Sequence, residues 1–209
     1  MTMTAGELNE AVANGSIEEI IRVAEAKQRK ALSRIADDVC LRPKVRVILL
    51  AGGSSAGKTT TATRICTQLM VNDRRALRLS TDDYFVGDKL NPRDENGNLD
   101  YEHVECVDIA RQSSDINRLL SGEEIDERRF DFQKHEGYDS SEAMKLPDGA
   151  YIVIEGIHAL NPLLTEAIDD EKQCLFVCCC TCVLCDGLQS EQQNGCICNS
   201  TGYRCSVCI

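Results

Sequence analysis

The segment Ile48–Thr61, ILLAGGSSAGKTTT, constrains the fold of this chain more than any other stretch. Residues 44–50 before the glycines, which are apolar except for Lys44 and Arg46, predict a buried strand. Apolar residues at helical spacing over 60–70 predict a helix. A strand, a glycine-rich turn and a helix in this order are the context in which the pattern G-x-x-x-x-G-K-T binds phosphate. The fixed residues of that pattern are Gly52, Gly57, Lys58 and Thr59.

Phosphate groups bring several negative charges into a small volume, so the loop that binds them needs many donors and little steric obstruction. Backbone N–H groups from about Ser54 to Thr59 are expected to turn inward, and the helix that follows directs its positive end at the anion. Lys58 would reach the β- and γ-phosphates, and the Thr59 hydroxyl would bind Mg²⁺. The sequence therefore predicts a site for ATP or GTP with Mg²⁺, lined by Gly52, Gly53, Ser54, Ser55, Ala56, Gly57, Lys58, Thr59 and Thr60.

The charge balance excludes some partners. The 209 residues include 23 basic and 34 acidic side chains, for a net charge of -11, with no basic stripe to offset it. Nonspecific binding to nucleic acid or to an anionic membrane is therefore not expected. The N-terminal residues lack a basic segment followed by an apolar run, and no stretch of 18 apolar residues occurs, so we expect a cytoplasmic protein. Oligomeric state is left open.

Two helices are predicted before the phosphate loop. Thr4 and Glu7 form a capping-box pattern that begins a short helix, which ends near Gly15. A second helix is predicted from Ser16 to about Val39, and its apolar face would pack on the core or on a preceding domain. That face consists of Ile17, Ile20, Ile21, Ala24, Ala31, Leu32, Ile35 and Val39.

Two further predicted strands end in carboxylates. The strand Ala76–Ser80 is followed by Asp82 and Asp83, and the strand Tyr151–Gly156 contains Glu155 near its end. Open α/β sheets bind ligands at the carboxyl ends of their strands. Beside a phosphate loop, Asp82 is therefore the candidate for catalysis or magnesium binding, and Glu155 can bind magnesium directly or through water.

The remaining predicted elements surround these strand ends. Residues 104–120 have helical spacing, 124–132 alternate as in an edge hairpin or flap, 162–168 predict a short helix, and 174–177 begin another strand. Phe130 and Phe132 in the predicted hairpin could hold a planar base or simply pack. His135 has the character of an exposed loop residue.

Four motifs occur in order along the chain, namely GGSSAGKTT, LSTDDYF, NLDYEHVE and IVIEGIHALN. Together they resemble the uridine kinase and phosphoribulokinase family, and most closely its bacterial-type uridine (nucleoside) kinases. The resemblance extends from about Val45 to Asp169. It implies a P-loop fold with a doubly wound, mostly parallel sheet, and transfer of the γ-phosphoryl group of ATP or GTP to the 5′-hydroxyl of uridine or cytidine.

The resemblance also implies roles for individual residues. Asp82 falls on the carboxylate that takes the hydroxyl proton and helps to hold magnesium, and Glu155 falls on the acidic residue near the metal. Asp100 matches a position that contacts ribose hydroxyls. His103 and His158 are expected to be structural or helix-end residues. The residues implied to contact the nucleoside are Asp82, Tyr84, Asp100, Phe130, Phe132 and His135.

The segment after Lys172 departs from the family pattern. Ten of the 13 cysteines fall within residues 174–209, and an arginine-bearing lid that closes over the phosphates is absent. The pairs Cys182/Cys185 and Cys205/Cys208 have the spacing of a four-cysteine zinc site, and a disulfide module is a second interpretation. We favour a third interpretation, in which the tail reflects a shifted reading frame or a misjudged exon boundary.

Three regions are therefore predicted: an N-terminal helical connector (1–43), a P-loop kinase core (44–173) and a cysteine-rich tail (174–209), with the fold incomplete at the C-terminus. The predicted activity is that of a nucleoside kinase, whose turnover the tail could impair. The alternative is a nucleotide-binding protein with little or no transfer activity. A regulatory GTPase is disfavoured because no N-K-x-D motif is present.

Overall fold

The computed structural model describes residues 3–168 together with the backbone of residues 175–178 and 207–208. Helices and strands alternate over most of this length. The helices are α1 (Ala5–Ala13), α2 (Ile17–Cys40), α3 (Lys58–Val71), α4 (Ile109–Leu120) and α5 (Pro162–Thr165). The strands are β1 (Val47–Ala51), β2 (Ala76–Ser80), β3 (Glu124–Asp131), β4 (Glu136–Lys145), β5 (Tyr151–Gly156), β6 (Leu175–Cys178) and β7 (Val207–Cys208).

Five parallel strands form the central sheet in the order β2-β5-β1-β6-β7. Every residue of β1 and of β5 is buried, as expected for strands covered on both faces. In the register of the sheet, Ala51 lies opposite Gly156, and Ser80 lies opposite Glu155. The carboxyl ends of β1, β2 and β5 therefore meet at one edge, where the chain continues into the phosphate loop and the predicted carboxylates.

Alternate side chains of β1 pack into two separate cores. Ile48 and Leu50 belong to a cluster with residues of α2 and α3, whereas Val47 and Leu49 belong to a cluster with residues of α4 and α5. Helices thus cover both faces of the sheet. This arrangement confirms the predicted doubly wound α/β fold.

A separate antiparallel hairpin consists of β3 and β4. The edge hairpin predicted over 124–132 is therefore present, although its second strand had not been identified from the sequence.

The helix predicted over 104–120 is interrupted. Residues 104–106 form a 3₁₀ turn, Val107 pairs with Phe85, and α4 begins only after Asp108, whose side chain accepts a hydrogen bond from the Arg111 N–H at 2.9 Å. The carboxylate cap starts a new helix at this point.

The capping box predicted at Thr4 and Glu7 is present, with hydrogen bonds in both directions. The C-terminal half of α2 packs on the core through Leu32, Ile35, Ala36 and Val39. Its N-terminal half does not, since Ile21 is 50% exposed. The connector predicted over 1–43 thus contributes part of the core, and its boundary stays a prediction. None of the helices within residues 3–168 combines the length and the apolar character needed to span a membrane.

The strand predicted near residues 174–177 is observed as β6, which pairs with β1 in parallel. The predicted zinc pairs and the disulfide module lie outside the residues whose side chains the structure describes.

Candidate functional site

The phosphate loop connects β1 to α3 in a conformation suited to an anion. Ser55 and Gly57 both have positive φ angles, of 58° and 80°, and the Ala56 N–H donates to the Gly53 carbonyl at 3.2 Å. Left-handed residues beside right-handed ones turn successive N–H groups toward one side of the backbone. Helix α3 then begins at Lys58, so the N–H groups of its first turn, which have no acceptor within the helix, lie next to this concave backbone.

Lys58 folds back over the loop. Its Nζ donates to the Gly53 carbonyl oxygen at 2.9 Å, and this contact is exposed to solvent. The ammonium group therefore lies beside the inward-turned backbone, in a position to meet phosphate oxygens. The contact of Lys58 with the β- and γ-phosphates stays a prediction.

Thr59 joins the loop to the neighbouring strand. Its hydroxyl donates to Glu155 Oε1 at 2.9 Å across 96 residues of sequence. Glu155 is 2% exposed, and the same carboxylate oxygen lies 3.4 Å from the guanidinium of Arg78 on β2. A buried carboxylate needs such partners, because an isolated charge in a protein interior is strongly unfavourable. One carboxylate oxygen of Glu155 thus links β5 to the start of α3 and to β2.

The donor set at this edge fits magnesium. Thr59, Glu155 and Asp82 offer only hydroxyl and carboxylate oxygens, the ligands that Mg²⁺ prefers. Protein sites for Mg²⁺ usually provide one or two carboxylates and leave the other positions to water and nucleotide phosphates. These three residues are therefore suited to hold the metal of a bound metal–nucleotide complex.

The adjacent carboxylates of Asp82 and Asp83 lie in a 3₁₀ turn (Thr81–Tyr84) directly after β2, in different surroundings. Burial raises the pKa of Asp83, and the nearby Arg129 and Arg78 partly oppose that shift. Asp82 lies near His158, since its charge raises the pKa of that ring against the larger lowering effect of burial. Asp83 lies near Arg129 of β3 and Arg78 of β2.

A close backbone contact sets the position of this turn. A Cβ atom on Gly156 would overlap the side-chain atoms of Thr81, which is 1% exposed. Only glycine allows the end of β5 to approach the turn so closely. The two carboxylates on either side of the contact, Asp82 and Glu155, are held near each other as a result.

Asp100 lies on the loop between the carboxylate turn (Thr81–Tyr84) and α4, and its charge affects the pKa of His158. Its Oδ1 accepts hydrogen bonds from the N–H groups of Glu102 at 2.9 Å and His103 at 3.2 Å. These bonds fix the orientation of the carboxylate. A contact between Asp100 and ribose hydroxyls stays a prediction.

The aromatic residues form one cluster. Phe85 packs edge-to-face on Tyr101, Phe130 and Phe132, with ring centroids 5.4, 5.4 and 6.4 Å apart. Phe130 is 7% exposed and therefore belongs to the core of the cluster, whereas Phe132 is 61% exposed and offers a free ring face. The predicted stacking of a base suits Phe132 better than Phe130, and both contacts stay predictions.

Tyr84, which was predicted to contact the nucleoside, is buried. It is 2% exposed, and its hydroxyl donates to the fully buried Asp115 at 3.3 Å. Burial and the charge of Asp115 raise the pKa of Tyr84. The side chain thus anchors the carboxylate turn to α4, and a direct contact with a substrate stays a prediction.

Two residues of the site were not identified from the sequence. Arg78 contacts Glu155, although the strand pattern around it offered no signal for that contact. His158, expected to be structural, lies close enough to Asp82 and Asp100 for their charges to affect its pKa. Burial is the largest effect and lowers that pKa, and its Nε2 is buried without a hydrogen-bond partner among the described residues. Its position two residues after Gly156, at a strand end, was the available signal.

Comparisons with known proteins agree with this geometry. Residues 47–167, more than half of the chain, match the sequence model of the phosphoribulokinase / uridine kinase family. A uridine kinase from Deinococcus deserti is 34% identical over 114 residues, which are 54% of this chain and 53% of that protein. A uridine kinase from Lactobacillus helveticus is 30% identical with the same coverage. The chain thus spans about half the length of these curated relatives.

The fold also matches a solved structure. A possible uridine kinase from Bacillus stearothermophilus superposes with a TM-score of 0.58 at 19% identity, over 73% of this chain and 80% of that one. At this level of identity the likeness supports the fold alone.

Proposed function

Because the chain belongs to the phosphoribulokinase / uridine kinase family, we propose that it transfers the γ-phosphoryl group of ATP, or of GTP, to the 5′-hydroxyl of a nucleoside such as uridine or cytidine. One observation carries the proposal: the hydrogen bond from Thr59 to Glu155 joins the phosphate loop to the strand-end carboxylates. The site thus combines a place for a triphosphate with carboxylates at the neighbouring strand ends. We also propose that this reaction takes place in the cytosol, where nucleotides and nucleosides are available.

The loop would hold the donor. Its N–H groups and Lys58 would bind the phosphates, while Thr59, Glu155 and Asp82 would hold the magnesium ion, which neutralises charge on the phosphate oxygens when bound. Since phosphoryl transfer involves little covalent chemistry by the protein, positioning and charge stabilisation provide most of its catalysis.

Asp82 would act on the acceptor. As the acceptor hydroxyl oxygen bonds to the γ-phosphorus, its proton passes to the Asp82 carboxylate, and the bond from that phosphorus to the bridging oxygen of ADP breaks. Because burial lowers the pKa of the nearby His158, that ring would be neutral and would not stabilise the Asp82 carboxylate against taking up the proton. The aromatic cluster and Asp100 are the candidate contacts for the base and for the ribose.

Support for a nucleoside acceptor comes from the relatives that are named uridine kinases. The exposed ring of Phe132, which packs on Phe85 directly after the carboxylate turn, also supports it. A flat, apolar surface suits a base better than it suits a sugar phosphate.

The test is a panel of acceptors. The purified chain is incubated with ATP, magnesium and one of uridine, cytidine, adenosine, ribulose 5-phosphate or pantothenate, and products are identified by mass spectrometry. We expect uridine or cytidine monophosphate. Transfer only to a non-nucleoside acceptor would contradict the nucleoside assignment, and ATP binding by calorimetry without transfer to any acceptor would favour the nucleotide-binding alternative.

A further inference from the structure

Arg78 places a positive charge beside the carboxylate of Glu155. It lies on β2, two residues before Ser80, and Ser80 is the residue opposite Glu155 in the sheet. Because residues two apart on a strand share a face of the sheet, the side chains of Arg78 and Glu155 lie on the same face. Arg78 Nη1 lies 3.4 Å from Glu155 Oε1, the oxygen that also accepts a hydrogen bond from the Thr59 hydroxyl at 2.9 Å.

The charge of Arg78 also reaches other groups at this end of the sheet. Burial raises the pKa of Asp83, and the charges of Arg129 and Arg78 partly oppose that shift. Burial likewise raises the pKa of the Cys66 thiol on α3, again against the charge of Arg78. The guanidinium is therefore close both to the carboxylate turn and to the helix that begins at the phosphate loop. Its side chain is 39% exposed, so it reaches this position without being enclosed.

A positive charge at this position opposes a second cation. The energy between two charges falls only as the inverse of their distance, so a guanidinium that contacts Glu155 Oε1 acts on any metal ion held by the same carboxylate. The burial of Glu155 limits screening of this effect by salt. A bound triphosphate changes the balance, because its negative charges attract the metal ion and the guanidinium alike.

We propose that Arg78 is a positioning residue that holds Glu155 through its charge, so that the empty site disfavours free Mg²⁺ and takes up the metal together with the nucleotide. The inference rests on the proposed function, since it concerns the metal site of that reaction. Arg78 belongs neither to the phosphate loop nor to the carboxylates that follow the strands. It would control when the metal enters, while Thr59, Glu155 and Asp82 hold the ion itself.

A pair that only stabilises the fold would behave differently. In that case, loss of Arg78 would leave the buried carboxylate less well held, and the site would bind a metal ion more weakly. If the charge of Arg78 opposes the metal, its loss strengthens the binding of a free cation instead. Glu155, Asp82 and Asp83 then act without the opposing charge. The direction of the change therefore separates the two roles.

Free Mn²⁺ is the probe, because it prefers the same oxygen ligands as Mg²⁺ and its electron paramagnetic resonance signal measures the unbound ion. The chain is titrated without nucleotide. We expect Arg78→Gln to bind Mn²⁺ about five- to tenfold more tightly than the wild type, and Arg78→Lys, which keeps the charge, to stay within about twofold. Arg78→Met is a second neutral variant with the same expected gain, and circular dichroism verifies that each variant is folded.

Two further variants assign the effect to this contact. Arg75→Gln removes the same charge from an exposed residue just before β2, far from its carboxyl end, and should leave Mn²⁺ binding unchanged. In a Glu155→Gln background, Arg78→Gln should produce no gain, because the two changes act through one contact. With a non-hydrolysable ATP analogue bound, the wild type and Arg78→Gln should differ by less than about twofold in Mn²⁺ affinity.

The proposal is overturned if Arg78→Gln binds Mn²⁺ no more tightly than the wild type, if the gain persists in the Glu155→Gln background, or if Arg75→Gln shows the same gain. A gain of equal size with the ATP analogue bound would also overturn it. The titration involves no phosphoryl transfer. Failure of this inference therefore leaves the result of the acceptor panel intact, and failure of the acceptor panel leaves the Mn²⁺ result intact.

Discussion

Glu155 connects the two halves of the site at a single carboxylate. Its burial at 2% exposure would be costly without the hydroxyl of Thr59 and the guanidinium of Arg78. A metal ion held at Thr59 and Glu155 would change these contacts. Glu155 is therefore held by contacts within the folded chain, and its role at the nucleotide site stays a proposal.

His158 should make stability depend on pH. Burial lowers its pKa below the ordinary value of about 6.5, so the unfolded chain takes up this proton at a higher pH than the folded chain does. The stability that goes with the neutral ring is fully present above about pH 6.5 and is lost as the pH falls below it. Denaturant unfolding should show that His158→Gln loses less stability than the wild type between pH 7 and pH 5.

NMR titration of the His158 ring provides the direct check. A pKa at or above the ordinary histidine value would contradict the placement of this ring in a partly buried environment.

Residues fixed by a local pattern could be predicted from the sequence, and residues placed by long-range contacts could not. The spacing of Gly52, Gly57, Lys58 and Thr59 determines their relative positions within one loop. His135 lies in the turn between β3 and β4, and its Nδ1 is 3.2 Å from Asp88 Oδ1. This contact depends instead on how a hairpin folds over a distant loop. No local sequence pattern predicts this contact between Asp88 and His135.

At the level of elements, the strand ends are held together by a glycine. The close packing of Gly156 on Thr81 brings β5 against the turn that carries Asp82. The strands themselves were predictable, because a short apolar run such as Tyr151–Ile154, which precedes Glu155 and Gly156, has few alternatives. The break before α4 was not predictable, because the apolar spacing continues through Val107. The Asp108 side chain nevertheless caps a new helix that begins at Ile109.

Gly156→Ala should therefore lower both stability and activity. The added methyl group overlaps Thr81, and relief of the overlap must move either β5 or the turn, which we expect to reduce the free energy of unfolding by at least about 2 kcal/mol. Denaturant unfolding monitored by circular dichroism measures this loss.

Gly6→Ala is the matched control, since Gly6 lies exposed in α1 and alanine favours a helix. That variant should be as stable as the wild type or slightly more stable. A Gly156→Ala variant of unchanged stability would show that β5 and the turn are not packed as described.

At the level of the whole molecule, the sheet and its two helical layers bring the candidate site residues to one edge of the sheet. The phosphate loop, Asp82 and Glu155 meet there because β1, β2 and β5 are parallel neighbours. The fold class followed from the order of motifs along the chain, whereas the division of α2 into a packed half and an exposed half did not, since its apolar spacing continues through both.

The most direct test of the account compares the wild type with Asp82→Asn in the transfer of the γ-phosphoryl group from ATP to uridine, with ATP binding measured by calorimetry in the same magnesium buffer. The account predicts that Asp82→Asn lowers kcat by at least about 100-fold and still binds ATP, because the phosphate loop, Lys58, Thr59 and Glu155 are unchanged. An Asp82→Asn variant that transfers phosphoryl groups at the wild-type rate would contradict it.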